Sequence, residues 1–427
     1  MKASHYDVIV IGGGPAGLMT SIAASSQGAR VCLVEKGSKL GRKLIISGGG
    51  RCNVTNAKEL DELIKQMPGN GRFLFSALSQ FNNQDIIRFF EELGVALKEE
   101  DRGRMFPITD KAVTVASALI ERIKSQGVEL RLNSPVEKVL YENGRTDGVL
   151  LKSGEYLKAP CVVISVGGCS VPQTGSTGDG YEWARAAGHT ITDLYPTEVP
   201  LNASDSFIRD KSLQGLSLRE VEITLYNPKK KKVSTQEGDM IFTHFGISGP
   251  AVLRLGHYVS VTQKKHGRVP LPLTIDLMPG KHLDEVAEES WRLLEEQPKK
   301  AVKNVCKGYL PDRLIPVLLS MAGIPEETTL SHMRKQQWRE FAQLIKAFPM
   351  TITGTLSLQE AFITGGGVSI KEIDPKTMQS KLMPGLFFAG EVMDVHAHTG
   401  GYNITIAFSS GYVAGTHSAQ AALAERG

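Results

Sequence analysis

The chain has 427 residues, 41% hydrophobic and 22% charged, with a formal charge of +4. That length implies two or three domains with ample buried core, and the composition is that of an ordinary soluble globular protein. The charge permits an anionic cofactor or a nucleic-acid partner and demands neither. No stretch is long and apolar enough for a membrane span. Five cysteines without a CxxC argue against a disulfide framework and for a reducing cytoplasm. The apolar run Val8–Ala24 is broken by Gly12-Gly13-Gly14-Pro15 and lacks the basic flank of a signal peptide. Glycine is the outlier, at 44 residues against about 30 at average usage, clustered at 12–14, 48–50, 365–367 and 400–401. Such clusters suggest backbone closing on a ligand.

Tyr6–Ile11 reads as a buried parallel strand, short, apolar and rich in β-branched residues. It leads into Gly12-x-Gly14-x-x-Gly17, a helix to about Gln27 closed by Gly28, and a second strand, Val31–Val34, ending at Glu35. A βαβ unit with an acidic residue about 20 positions after the glycines is a dinucleotide-binding pattern. Gly12 permits the tight turn, Gly14 lets backbone reach a pyrophosphate, and Gly17 lets the helix pack close to the strand. The helix N-terminus offers N–H groups and partial positive charge, and Glu35 would accept hydrogen bonds from ribose hydroxyls. This motif alone leaves NAD and FAD both open.

Helical periodicity follows at Gln84–Leu93 and Lys111–Ser125, then strand patterns at Val128–Leu132, Val136–Tyr141, Gly148–Leu151 and Cys161–Val166. A short helix is expected over Tyr181–Ala187. Residues 193–280 show short alternating strands, including the tract Asn227-Pro228-Lys229-Lys230-Lys231-Lys232, and 281–347 look almost wholly helical. The expected fold is therefore α/β. A Rossmann-like dinucleotide domain is built from both chain ends (1–192 and 348–427), with a β-rich, barrel-like subdomain (193–280) and a helical subdomain (281–347) inserted.

Four motifs carry a resemblance to the BaiN/RdsA flavoproteins: IGGGPAG (11–17), GRKLIISGGGRCN (41–53), the pair SVGG and TGDG (165–168, 177–180), and PGLFFAGEVMDVHAHTGGYNITIAFSSG (384–411). FTHFGISGP (242–250) and TGGGV (364–368) also match that family. More distantly the chain is similar to the fumarate-reductase branch of glutathione-reductase-like FAD folds. The resemblance implies a non-covalent FAD and, with only one dinucleotide fingerprint in the sequence, NAD(P)H as a transient electron donor. It implies that Gly390 and Glu391 reach the ribityl chain. Gly400, Gly401, Tyr402 and Asn403, with Ile404, open a helix facing the flavin, whose dipole would stabilise reduced-flavin charge. Within 41–53, Arg42 and Lys43 would neutralise phosphate charge, Ser47, Gly48, Gly49 and Gly50 would bring bare backbone to the ring, and Asn53 would bond its polar edge. Pro15, Ala16, Lys36 and Val136 join this cofactor set, as do Gly167, Asp179 and Gly365.

Candidates for chemistry are His244 as an acid, Arg104 as an anchor for an anionic or carbonyl substrate, and Cys52 as a proton donor, with Arg51 beside it. Each has a plainer reading, as a structural histidine, a surface ion pair and a packing residue. His396 and His398 could sit beside the flavin, but their spacing makes no metal site. The family has two substrate branches, the uracil C5=C6 bond in ribosomal RNA and a conjugated C=C bond of bile-acid intermediates. An amine or alcohol oxidase and an FAD-bearing binding or assembly protein are the rival classes. The lysine tract is a solvated hairpin tip or an RNA-backbone contact.

Overall fold

Val8–Ile11, buried along its whole length, forms the middle of a five-stranded parallel sheet in the computed structural model, which describes residues 4–425. The strand order is Leu386–Phe388, Cys161–Ile164, Val8–Ile11, Val31–Val34 and Glu129–Arg131. A continuous apolar run suits a strand covered on both faces. Because Leu386–Phe388 joins in parallel, the sheet is assembled from both ends of the chain. The expected α/β Rossmann-like class is therefore the observed one.

Two units divide the chain, one holding residues up to Tyr195 and from Phe362 onward, the other Pro196–Ala361. The first three and last two residues of the expected dinucleotide domain lie outside the described residues. In the first unit, helix Pro15–Ser26 packs against the 23-residue helix Tyr402–Ala424. Their backbones approach closely at two glycines one helical turn apart. A Cβ at Gly411 would lie 2.5 Å from the Ala16 carbonyl oxygen, and one at Gly415 2.3 Å from that of Thr20. A four-stranded sheet (Ser4–His5, Tyr156–Lys158, Arg145–Leu151, Val136–Glu142) and a three-stranded one (Thr55–Asn56, Arg104–Pro107, Leu97–Glu100) complete this unit's strands.

The second unit contains a closed barrel of Leu201–Ala203, Gly246–Ser248, Lys232–Phe242, Ser217–Tyr226, Leu271–Asp276 and Phe348–Thr355. Phe348–Thr355 pairs with both Leu271–Asp276 and Leu201–Ala203, burying Phe348, Met350 and Ile352 on one face. The chain thus returns to the first unit at Phe362 rather than Phe348, because this strand is needed to close the barrel. Residues 277–347 are the long connection between two adjacent barrel strands. Their helices Leu283–Glu296 and Lys335–Lys346 bury Val286, Leu294, Trp338 and Phe341 in the same core as Ile223, Leu273 and Phe348. No helix among the described residues is long and apolar enough to cross a membrane.

Candidate functional site

The turn after the first strand opens onto a cavity of about 780 Å3 in the first unit, in the upper part of the usual range for small-molecule and cofactor sites. Gly12 has φ +103°, and a Cβ there would meet the Ser165 carbonyl oxygen at 2.8 Å. A Cβ at Gly17 would lie only 1.8 Å from the Gly12 carbonyl oxygen, so the helix can seat against the turn only with glycine there. Gly14 differs: its backbone is extended (φ −78°, ψ −178°), and a Cβ would find no protein atom within 4 Å. That bare position lines the cavity at the start of helix Pro15–Ser26, whose first turn has no side-chain cap. Unsatisfied N–H groups beside an open concavity suit a pyrophosphate.

Glu35 holds the turn together. One carboxylate oxygen accepts the Gly13 N–H at 2.7 Å and the other the Gly37 N–H at 2.7 Å. Each oxygen keeps a further lone pair for a ribose hydroxyl. Lys36 reaches Asp179 at 2.6 Å and also Thr177, tying the second strand's end to helix Asp179–Ala186. Pro15, Ala16, Glu35, Lys36, Val136, Gly167 and Asp179 all line the cavity. So do Lys39, Ser134 and Lys152, polar groups that carry no motif of their own.

GRKLIISGGGRCN folds as a helical turn that runs into a left-handed one. The helix begins at Arg42, breaks at Ser47 (φ −65°, ψ +151°), and continues through Gly48 (φ +56°) and Gly49 (φ +68°). Gly50 and Cys52 also have positive φ, +85° and +61°. Arg42, Lys43, Ser47, Gly48 and Gly49 line the cavity, whereas Gly50, Arg51, Cys52 and Asn53 do not. Lys43, expected to face phosphate, instead meets Glu391 at 2.7 Å. Glu391 also accepts from the Ser170 hydroxyl at 3.0 Å and the Thr364 N–H at 2.8 Å. Ser170 and Thr364 escaped the sequence reading. Thr364, next to the expected Gly365, is the residue of TGGGV that touches this cluster, since its hydroxyl also accepts the Cys169 and Ser170 N–H groups.

Arg51 turns away from the cavity to pair with Glu100 and with Asp110 at 2.6 Å, its guanidinium 4.1 Å from the Phe106 ring centroid. Phe106 in turn backs Gly48, where a Cβ would approach the ring to 3.3 Å. The hydrogen bond from Arg51 holds the Glu100 carboxyl below its usual range, and bonds from Lys98 and then Arg51 do the same for Asp110. Arg104 lies on the same surface, paired with Asp101 and 5.4 Å from Phe106. Cys52 is 0% exposed, and burial pushes its thiol up to about 12. A protonated thiol could donate, but one with no exposed surface and off the cavity has no route to hand a proton to a bound substrate, so Cys52 packs.

At the other end of the chain Gly390 (φ +76°) and Glu391 line the cavity, with Asn403, Ile404 and Ala407 from the long helix. Asn403 works as a clasp: its oxygen accepts the Ala397 N–H at 2.9 Å and its amide donates to the Ala397 carbonyl at 2.7 Å. Gly401, at the N-cap with φ +94°, sits where a Cβ would meet the Thr55 carbonyl oxygen at 2.5 Å. Gly400, Gly401 and Tyr402 shape this entry without lining the cavity. Asn53 is buried near it, its side-chain oxygen without a hydrogen-bond partner and 2.9 Å from where a Cβ at Gly401 would lie. His396 and His398 are buried off the cavity, where Val395 and Thr399 line it. His244 belongs to the second unit, exposed on the turn between barrel strands, its ring 5.0 Å from Phe245. The bare Gly14 position, the uncapped helix start beside it and the glycine-lined wall together fit an FAD. Among the described residues no group of His, Cys, Asp and Glu could hold a metal ion.

The family profile of the HI0933-like protein Rossmann domain matches residues 6–417. The chain is 30% identical over 416 residues to the ribosomal RNA dihydrouridine synthase of Haemophilus influenzae, covering 96% of this chain and 98% of that one. It is 28% identical to the 3-dehydro-bile acid delta(4,6)-reductase of Clostridium scindens, over 96% of this chain and 98% of that one. Among solved structures, 3-ketosteroid delta1-dehydrogenase from Sterolibacterium denitrificans superposes with a TM-score of 0.54 at 15% identity, covering 98% of this chain and 100% of that one. This last likeness concerns the fold alone.

Proposed function

Since the chain belongs to the HI0933-like Rossmann-domain family of FAD-binding oxidoreductases, we propose that it reduces an activated C=C bond, with uridine in ribosomal RNA as substrate and NAD(P)H as electron donor. The observation that carries this reading is the near end-to-end similarity to a ribosomal RNA dihydrouridine synthase, joined to a cavity shaped for a dinucleotide. Bound FAD would supply hydride chemistry at N5. The chain's own part is to bind, orient and neutralise. Gly12, Gly14 and the first turn of helix Pro15–Ser26 would receive the pyrophosphate, and Glu35 the ribose. Lys43 would keep Glu391 in place at the cavity wall, and the left-handed Gly48-Gly49 turn would leave room for a planar ring. In uracil the C5=C6 bond is conjugated with the C4 carbonyl, so hydride adds at C6 and a proton at C5. Five unpaired cysteines suit a reducing cytoplasm.

A second reading, reduction of a steroid-like enone, is favoured by the bile-acid reductase similarity and by two exposed apolar residues on the cavity, Ile46 (53%) and Phe362 (52%). Dihydrouridine mapping of ribosomal RNA from a deletion strain separates the two. Loss of a modified site supports the RNA reading. An unchanged map, together with turnover of a conjugated enone by NADPH-reduced protein, replaces it with the second.

A further inference from the structure

The longest run of like charge in the sequence, Lys229-Lys230-Lys231-Lys232, lies at the tip of the hairpin formed by Ser217–Tyr226 and Lys232–Phe242. All four lysines are exposed. The tip is a built turn, not a loose loop. The Asn227 side-chain oxygen accepts the N–H of Lys229 at 2.9 Å and of Lys231 at 3.0 Å. The Asn227 N–H donates to the Lys231 carbonyl, the Lys230 N–H donates to the Asn227 carbonyl, and Lys230 takes φ +59°. The last rung to the neighbouring barrel strand is Leu225 with Leu273, so beyond it the hairpin pairs only with itself.

Several cations elsewhere in this unit are matched. Lys281 pairs with Glu289, Lys303 with Glu326 and Glu327, Arg339 with Asp284, and Lys346 with Asp276. At the tip, among the described residues, no carboxylate lies within ion-pairing distance of any of the four lysines. Four like charges on consecutive residues repel one another, and a turn that holds them in place keeps that repulsion in the folded protein. A polyanion removes it. The tip carries no aromatic or large apolar side chain that would enter a lipid interface or read a base, so its chemistry is that of phosphate contact without sequence preference.

We propose that the Lys229–Lys232 tip is a docking surface for the phosphate backbone of RNA. This rests on the RNA reading of the function. Contacts of this kind release counterions, so each adds about 0.7–0.9 to the slope of log affinity against log salt. Four lysines together supply a slope of about 3.

The test uses the FAD-loaded full chain and an unmodified ribosomal RNA transcript. Binding is measured between 50 and 200 mM salt for the wild type and for K229Q/K230Q/K231Q/K232Q, with flavin content and melting temperature as fold controls. The expected result is at least about tenfold weaker binding at 0.1 M salt and a slope smaller by about 3, with bleaching of the flavin by NADPH unchanged. Amine-acylation footprinting on the wild type, where folding of a variant plays no part, should show Lys229–Lys232 protected by the transcript. Protection by anionic lipid vesicles and not by RNA overturns the proposal. So does an unchanged slope in a variant of a protein that still reduces uridine in the transcript, and that outcome leaves the RNA reading standing. A wild type that neither binds nor reduces the transcript overturns both.

Discussion

Gly14→Val separates cofactor binding from folding. The position is extended backbone that any residue adopts, and a Cβ there meets no protein atom within 4 Å, so the FAD-free variant should match FAD-free wild type to within about 0.5 kcal/mol. The same branched side chain would stand in the opening through which backbone reaches the pyrophosphate. Loss of that approach should weaken FAD by about 100-fold, or about 2.7 kcal/mol. Linkage gives the readout. At free FAD equal to 100 times the wild-type dissociation constant, the cofactor stabilises wild type by about 2.7 kcal/mol. The variant at the same concentration gains only about 0.4 kcal/mol. Thermal melts with and without FAD, beside titration of flavin fluorescence, measure both terms. Gly17→Val is the contrast, since its Cβ would lie 1.8 Å from the Gly12 carbonyl oxygen and should destabilise the FAD-free protein itself. The reasoning fails if Gly14→Val purifies yellow with one FAD per chain, or if its FAD-free form melts well below that of wild type.

Arg51→Met should loosen the Gly48–Gly50 turn and raise the FAD dissociation constant severalfold, with Arg51→Lys recovering only part, because a point charge cannot pair with Glu100 and Asp110 while stacking on Phe106; equal affinity in all three proteins would refute this. Glu100 and Asp110 have depressed folded-state values, so their contribution is complete above the unfolded-state range near about 4 and is lost as pH falls through the folded values. Acid titration of stability should therefore show a component below about pH 4 that Arg51→Met reduces, mostly at Glu100, while Lys98 still holds Asp110. Lys43→Met leaves the Glu391 charge beside the cofactor cavity without its cation, and FAD affinity should fall about tenfold, with Lys43→Arg in between; unchanged affinity would show that Ser170 and Thr364 suffice. Cys52→Ala should keep reduction of the C=C substrate by the reduced flavin within about twofold, since the thiol is buried off the cavity; a hundredfold loss would return Cys52 to the chemistry as a proton donor.

The first βαβ unit was legible because every requirement on it is local. The apolar strand, the glycine spacing and the acid at Glu35 all follow from backbone sterics and sheet burial within 35 residues. The insertion of a β-rich segment and a helical one was legible from periodicity for the same reason. The end of the insertion was not. Phe348–Thr355 has ordinary strand alternation, and nothing local says whether it pairs with barrel strands or returns to the parallel sheet. Side-chain assignments within GRKLIISGGGRCN were harder still. Lys43 reads as a phosphate cation and Arg51 as a neighbour of the reacting site, yet carboxylates 348 and 49 residues away along the chain claim them.

Sequence alone determined that a dinucleotide turn exists, which glycines make it, and that both ends of the chain share one domain. Those are matters of φ, Cβ volume and apolar pattern, properties each residue carries with it. Tertiary structure decided which cations face the cavity and which are already paired, that Asn403 clasps the Ala397 loop, and that Cys52 is packing. Those depend on distances between residues remote in sequence, which only the folded chain sets.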